Sequence, residues 1–407
     1  MDIHAIRSSV AGSLEPIRAL RHDLHRHPEL SFHESRTSGV VQRELGAMGI
    51  SFVAGLGAAQ PADKGNGVLG YIPASGSPEK APTIALRADI DALPIAEETG
   101  REYASTTPGV MHACGHDGHT SMLLGAARVI GAAATRPNNV LLIFQPAEEN
   151  GAGAEKMCRD GALDGRHFPG RAGAVSAVYG LHGWPEMELG TIGIRDGAML
   201  AATDEFRVIV HGKGGHAAQP HLTLDPIVCA SALVTALQTI ASRRFSPFEP
   251  VVVTVGEFHA GSANNIIPES AMLHGTIRTL TDAARTLAEQ EFHQLAAQVC
   301  AAHGCRAEVI FRRGYPATRN AAEPTNRFRK IAAETVGPDR LIEREHPTMG
   351  GEDFAYYGAH APTTFFFLGL RPKAQATYPG LHTPRFDFND DALQTGIELM
   401  AALALSP

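Results

Sequence analysis

Four short runs in this chain are largely apolar, and each leads to a knot of polar residues. Residues 83–88 run into Asp89-Ile90-Asp91, and residues 140–144 run into Gln145-Pro146-Ala147-Glu148-Glu149. Residues 174–179 run into Gly180-Leu181-His182, and residues 364–368 precede Leu381-His382-Thr383. Runs of this length and composition read as buried strands. Helical periodicity lies between them, as over residues 122–130. Strands alternating with helices, with polar chemistry just past the strand ends, predict an α/β fold built on an open sheet that carries its site at that edge.

Residues from about 200 to 314 follow a different order. Residues 205–210, 250–255, 271–278 and 306–311 read as strands, and residues 224–242 and 282–302 as helices. In the second helix Ala288, Phe292, Leu295 and Val299 make one apolar stripe, with Gly304 as its stop. The order βαββαβ is the ferredoxin-like split motif. The expected layout is an open-sheet domain of residues 1–197 and 315–407, with a ferredoxin-like α+β domain, 198–314, inserted in it. Residues 55–67 read as an exposed glycine-rich loop.

A chain of 407 residues has room for two or three domains. Hydrophobic residues at 44% and charged residues at 19% describe a globular protein rather than a disordered one. A net charge of −8 leaves no basic excess to meet phosphates, so neither nucleic acid nor an anionic membrane is an expected partner. The five cysteines form no even framework and read as a reduced set. With no signal-like start and no run expected to span a membrane, the expectation is a cytoplasmic protein with a small-molecule partner.

The densest chemistry lies in Met111-His112-Ala113-Cys114-Gly115-His116-Asp117-Gly118-His119-Thr120. A thiolate and an imidazole separated by one glycine, Cys114 and His116, can turn toward one ion. His182 and the glutamate pair supply the ligand types that ion would still lack. Thiolate, imidazole and carboxylate suit zinc or a related divalent ion better than magnesium or calcium. The plainer alternative is a buried thiol beside a capping loop, with Asp117 as the helix N-cap and His119 a first-turn residue. Glu148 and Glu149 side by side repel unless a cation relieves them. The useful division is one carboxylate on the ion and one free to carry a proton; the alternative is a solvated acidic turn.

Eight motifs then occur in order: DIDALP (89–94), MHACGHDGHT (111–120), FQPAEE (144–149), GLH (180–182), GKGGHAAQPH (212–221), NIIP (265–268), MGGEDF (349–354) and LHTPRFDF (381–388). The chain resembles the two-domain metallopeptidases that include aminoacylases and carboxypeptidase G, and within them the branch of hippurate hydrolases and indoleacetyl-amino-acid hydrolases. The resemblance implies metal ligands Cys114, His116, Glu149, His182 and His382 for two divalent ions; it does not fix which, and manganese or zinc are expected before nickel or cobalt. It implies Glu148 as general base, His216 as a catalytic histidine reaching a neighbouring subunit, and Asn265 and Arg278 as holders of a substrate carboxylate. The inserted domain would then serve as lid and dimerisation domain of a homodimer.

One departure stands out. The wider family has His-x-Asp where this chain has Asp89-x-Asp91, so both aspartates, with Asp117, are expected behind the ligands rather than among them. The motif does not fix a role for Glu352. The implied reaction is metal-dependent hydrolysis of an N-acyl amino acid to a carboxylic acid and a free amino acid. The rivals are a dipeptidase or carboxypeptidase of the same fold, a silent acyl-amino-acid binder, and a thiol hydrolase using Cys114; the last leaves the glutamate pair without a purpose.

Overall fold

A computed structural model describes residues 2–168 and 174–407, and the chain divides into two compact units. The larger comprises Met1–Met199, Arg319–His346 and Asp353–Pro407. Its sheet has eight strands among the described residues, in the order Ser51–Leu56, Gly67–Ile72, Asn139–Gln145, Thr83–Asp89, Val175–Glu188, Thr363–Arg371, Ile192–Ile194 and Leu341–Glu343. The central strands are parallel: Thr83–Asp89 pairs with Asn139–Gln145 on one side and Val175–Glu188 on the other, and the latter with Thr363–Arg371. Every residue of Thr83–Asp89 and Asn139–Gln145 is buried, as expected of strands covered on both faces.

Helix His116–Ala132 packs against Leu14–Arg26 and Ala392–Leu405, and the last also meets Ala322–Val336. Two glycines set the approach of His116–Ala132 to Ala392–Leu405. A Cβ on Gly125 would come within 2.7 Å of Ile397, and one on Gly396 within 2.0 Å of the Met122 sulfur. The loop expected to be exposed is only partly so. Residues 60–64 are exposed, but Gly57, Ala58, Gly65 and Gly67 are buried. Gly57 lies against Pro146 and Met157, and Gly65 against the Leu56 carbonyl.

The smaller unit comprises Leu200–Thr318 and Pro347–Glu352. Its four-stranded sheet runs Val252–Ala260, Ser270–Thr279, Ala202–His211, Arg306–Arg313, antiparallel throughout. With helices Pro226–Thr239 and Asp282–Ala302 packed on each other, this is the ferredoxin-like arrangement. Asp225 caps the first helix by accepting from the Ile227 amide at 2.8 Å, and Thr281 caps the second by accepting from Ala284 at 3.1 Å. The buried stripe of the second helix is Ala284, Ala288, Phe292, Ala296 and Cys300; Leu295 and Val299 flank it half-buried. The unit begins at Leu200 and runs to Thr318, against crossings expected at 197/198 and 314/315. Gly314 donates to the Thr203 carbonyl, Thr203 donates to that of Tyr315, and Ala201 donates to Gly350, all at 2.9 Å.

Phe292 is fully buried with its ring 4.5 Å from that of Phe206. Replacing it with Ala should cost about 3–5 kcal/mol, measured as a lower denaturant midpoint. One helical stretch, Pro226–Arg244, is long and apolar enough to cross a membrane by length and composition, which the sequence reading passed over. A core helix meets the same test, and Cys229, Ala230, Leu233, Leu237 and Ile240 of this stretch are fully buried in the smaller core.

Candidate metal centre

The parallel strands bring the polar motifs to one edge of the larger sheet. Asp89 ends its strand opposite Gln145, which ends the next. His182 does not follow its strand, as the sequence suggested, but lies inside the 14-residue Val175–Glu188, opposite Phe367. The strand simply continues past the point where its neighbour Thr83–Asp89 stops.

Gly115, at φ 87°, lets the chain turn from Cys114 into the helix that begins at His116; a Cβ there would come within 2.9 Å of the Phe388 ring. The Cys114 sulfur lies 3.2 Å from His182 Nε2 and 3.3 Å from His382 Nε2. Glu149 Oε1 lies 3.5 Å from His382 Nε2 and 3.8 Å from His116 Nε2. All five sequence-predicted ligands thus meet, in overlapping groups whose donor atoms fall within 4.8 Å of one another: Cys114 with His116 and His182, Cys114 with Glu149 and His382, and His116 with Glu148 and Glu149. His382 reaches the group from a left-handed residue, φ 59°, its amide donating to the Ala113 carbonyl at 2.9 Å.

Two buried atoms of this group, His116 Nε2 and Glu149 Oε1, have no hydrogen-bond partner among the described residues. Buried polar atoms are almost always satisfied, so these two mark a place for an ion. The charges agree. Burial, then the nearby Glu149, Glu148 and Asp89, push the Cys114 thiol well above its ordinary value, and an added cation would reverse that. Burial works against a charged His116, yet Asp89, Asp91 and Glu149 raise it to about 10, which shows how strongly negative this corner is. Burial keeps His182 neutral, well below its usual range, with a lone pair to offer. Sulfur, imidazole and carboxylate donors together fit a borderline divalent ion.

Behind the donors, Asp91 fixes the His116 ring. Its carbonyl and Oδ1 accept from Nδ1 at 2.9 and 3.2 Å, which leaves Nε2 facing the group. His182 Nδ1 donates to the Gly183 carbonyl at 2.8 Å. Asp89 accepts from His119 Nδ1 at 2.7 Å and from Arg87 at 2.8 Å, and the other His119 nitrogen accepts from the Gly183 amide at 2.9 Å. His119 is thereby fully used, and it ties Asp89 to the strand that carries His182. Asp117 is not the N-cap; Gly115 holds that position. Asp117 instead accepts from His25 at 2.9 Å and faces Arg21 at 3.4 Å. His25, Arg21, Arg87 and Glu34 all escaped the sequence reading. Only Arg87, a charge inside an apolar run, carried a signal.

The remaining candidates lie in the smaller unit. His216 and Asn265 are neighbours: Ile266 pairs with His216, and the Ala217 amide donates to the Asn265 carbonyl at 3.0 Å. His216 is exposed, with Nδ1 accepting from the Ala218 amide at 3.1 Å. Arg278 is half-buried in Ser270–Thr279, opposite Thr203, its guanidinium without a hydrogen bond or ion pair among the described residues. Glu352 is buried, its carbonyl accepting from the Thr318 hydroxyl at 3.1 Å.

Residues 85–406 match the model of peptidase family M20/M25/M40. The chain belongs to that family. It is 41% identical to N-acetyl-L-cysteine deacetylase of Bacillus subtilis over 92% of this chain and 84% of that one. It is 36% identical to IAA-amino acid hydrolase ILR1-like 4 of Arabidopsis thaliana over 95% of this chain and 84% of that one. The solved structure of Bacillus subtilis YxeP, described as a dinuclear metal binding peptidase of the M20 family, is 32% identical. It superposes with a TM-score of 0.80 over 97% of this chain and 98% of its own. Membership of the M20/M25/M40 family and these matches make the chain a metal-dependent amidohydrolase.

Proposed function

We propose that the chain hydrolyses the amide bond of small N-acyl amino acids, with Cys114, His116, Glu149, His182 and His382 as ligands of two divalent ions, manganese or zinc. The observation that carries this is the pair of orphaned buried atoms, His116 Nε2 and Glu149 Oε1, beside a second carboxylate, Glu148. Bound ions would supply Lewis acidity at the scissile amide. Glu148 takes the proton of the attacking water and returns it to the leaving nitrogen. Arg278 and Asn265 hold the carboxylate of the amino-acid half, which makes a free carboxylate a requirement. His216, exposed and with one ring nitrogen tied to its own backbone, steadies the developing oxyanion from a second copy in a homodimer. Asp89, Asp91 and Asp117 orient the ligands.

The test is amino-acid release from N-acetyl, N-benzoyl and indoleacetyl amino acids, run as purified, after chelation, and after adding back manganese or zinc. Release that chelation abolishes and one ion restores is expected. Release from free dipeptides alone would move the reading to a peptidase, and no release with metal bound would move it to a binding protein.

A further inference from the structure

The glutamate pair sits on a single helical turn of four residues, Glu148–Gly151. One turn cannot hold itself, because nucleation fixes several dihedrals for a single hydrogen bond. This turn is also bounded at both ends by left-handed residues that are not glycine, Ala147 at φ 53° and Ala152 at φ 50°. Side chains resist that region, and such residues persist only where their surroundings over-determine them.

Three buried carboxylates do so here. Glu34 Oε1 accepts from the Ala147 amide at 2.9 Å, Asp91 Oδ2 from the Glu149 amide at 3.1 Å, and Asp353 Oδ2 from the Ala154 amide at 2.9 Å. Asp91 also serves His116, and Asp353 also meets Arg87 and Gln145. Glu34 has no such second task. It is fully buried, pairs with no cation, and makes no hydrogen bond to the five donor residues among the described residues. Its remaining bonds go to the amide of Phe32, itself left-handed at φ 66°, and to the side chain of Asn66, both at 2.9 Å. The Phe32 ring in turn covers Gly151, where a Cβ would come within 2.6 Å. Burial, then the nearby Asp91, push this carboxyl up to about 7, so it is held at a cost, and what it holds in return is the backbone of Phe32 and Ala147.

We propose that Glu34 is a positioning residue for Glu148: one oxygen holds Phe32 and Ala147 left-handed together and so aims the Glu148 carboxylate at the donor group. This rests on the reading of Glu148 as the proton carrier. Glu34→Ala would leave the Ala147 amide unsatisfied and its backbone free to relax. Glu34→Gln keeps an acceptor oxygen of the same reach, and the Asn66 amide can turn to face the new amide nitrogen. Ala147→Gly makes positive φ intrinsically accessible.

The experiment measures kcat, KM and bound metal for Glu34→Ala, Glu34→Gln and the double variant Glu34→Ala/Ala147→Gly. Glu34→Ala is expected to lose about 100-fold in kcat, the size of a misplaced catalytic group, with KM and metal content near those of the unaltered protein. Glu34→Gln should stay within a few-fold of it, and adding Ala147→Gly should recover about tenfold, since glycine adopts this backbone freely. A general structural role would depress metal content as well and would not be rescued by a glycine at 147. Undiminished kcat in Glu34→Ala, or a loss that neither companion variant restores, overturns the inference. Should Glu34→Ala not fold, amide exchange across residues 145–152 of the unaltered protein decides: a protected Ala147 amide supports the inference and a freely exchanging one overturns it. Inactivity of the unaltered protein on every acyl substrate would instead remove the functional reading and leave the exchange result standing.

Discussion

Glu148→Gln should keep its metal and lose about 10²–10⁴-fold in kcat, the range that general acid–base catalysis contributes. The substitution is conservative in shape. Glu148 is 7% exposed, and its Oε1 faces the Asp353 amide at 3.4 Å, a contact that a glutamine oxygen preserves. What it removes is the basicity needed to take a proton from water and return it to nitrogen. Because the role proposed for Glu148 acts on protons rather than on the bound substrate, KM should change little. Steady-state kinetics with metal analysis of the same sample checks this. Turnover near that of the unaltered protein would remove Glu148 from the proton path. Loss of metal together with activity would instead count it among the ligands.

Parts of this centre were legible in the sequence because they depend on neighbours only a few residues apart. Cys114 and His116 flank a glycine whose left-handed turn lets both face one point, and Glu148 and Glu149 follow a fully buried strand. The inserted ferredoxin-like unit was legible for a related reason. Its alternating strands and its capped helices are local patterns, and the sheet order follows from them.

What escaped depends on long-range pairing. Glu34 serves amides at positions 32 and 147 and a side chain at 66, and nothing in its own surroundings announces that. Asp89 and Asp91 look equivalent in sequence. They separate only through partners: Arg87 and His119 for one, His116, Ser31 and the Glu149 amide for the other. His182 was displaced by a subtler limit. The apolar run 174–179 read as ending before Gly180-Leu181-His182, yet this strand continues through them to Glu188.

Arg278→Met should lower kcat/KM on N-acyl amino acids by about 10²–10³-fold, the cost of removing one partner of a desolvated charge pair, with most of the change in KM. The guanidinium is half-buried and draws no hydrogen bond or ion pair from the described residues. Burial lowers its pKa from the usual range, and the one charge acting the other way, Asp204, is already committed to Arg285 at 3.0 and 3.1 Å. An arginine partly desolvated without a partner is unfavourable in the free protein, and a planar carboxylate is the ligand that fits its forked donors best. The decisive comparison is therefore between an N-acyl amino acid and its carboxamide. The unaltered protein should reject the carboxamide strongly, because binding it would leave the guanidinium buried and unpaired. In Arg278→Met the acid loses its partner while the amide loses nothing, so the two should converge. If they stay as far apart as before, the carboxylate is read elsewhere, and the half-buried arginine needs another explanation.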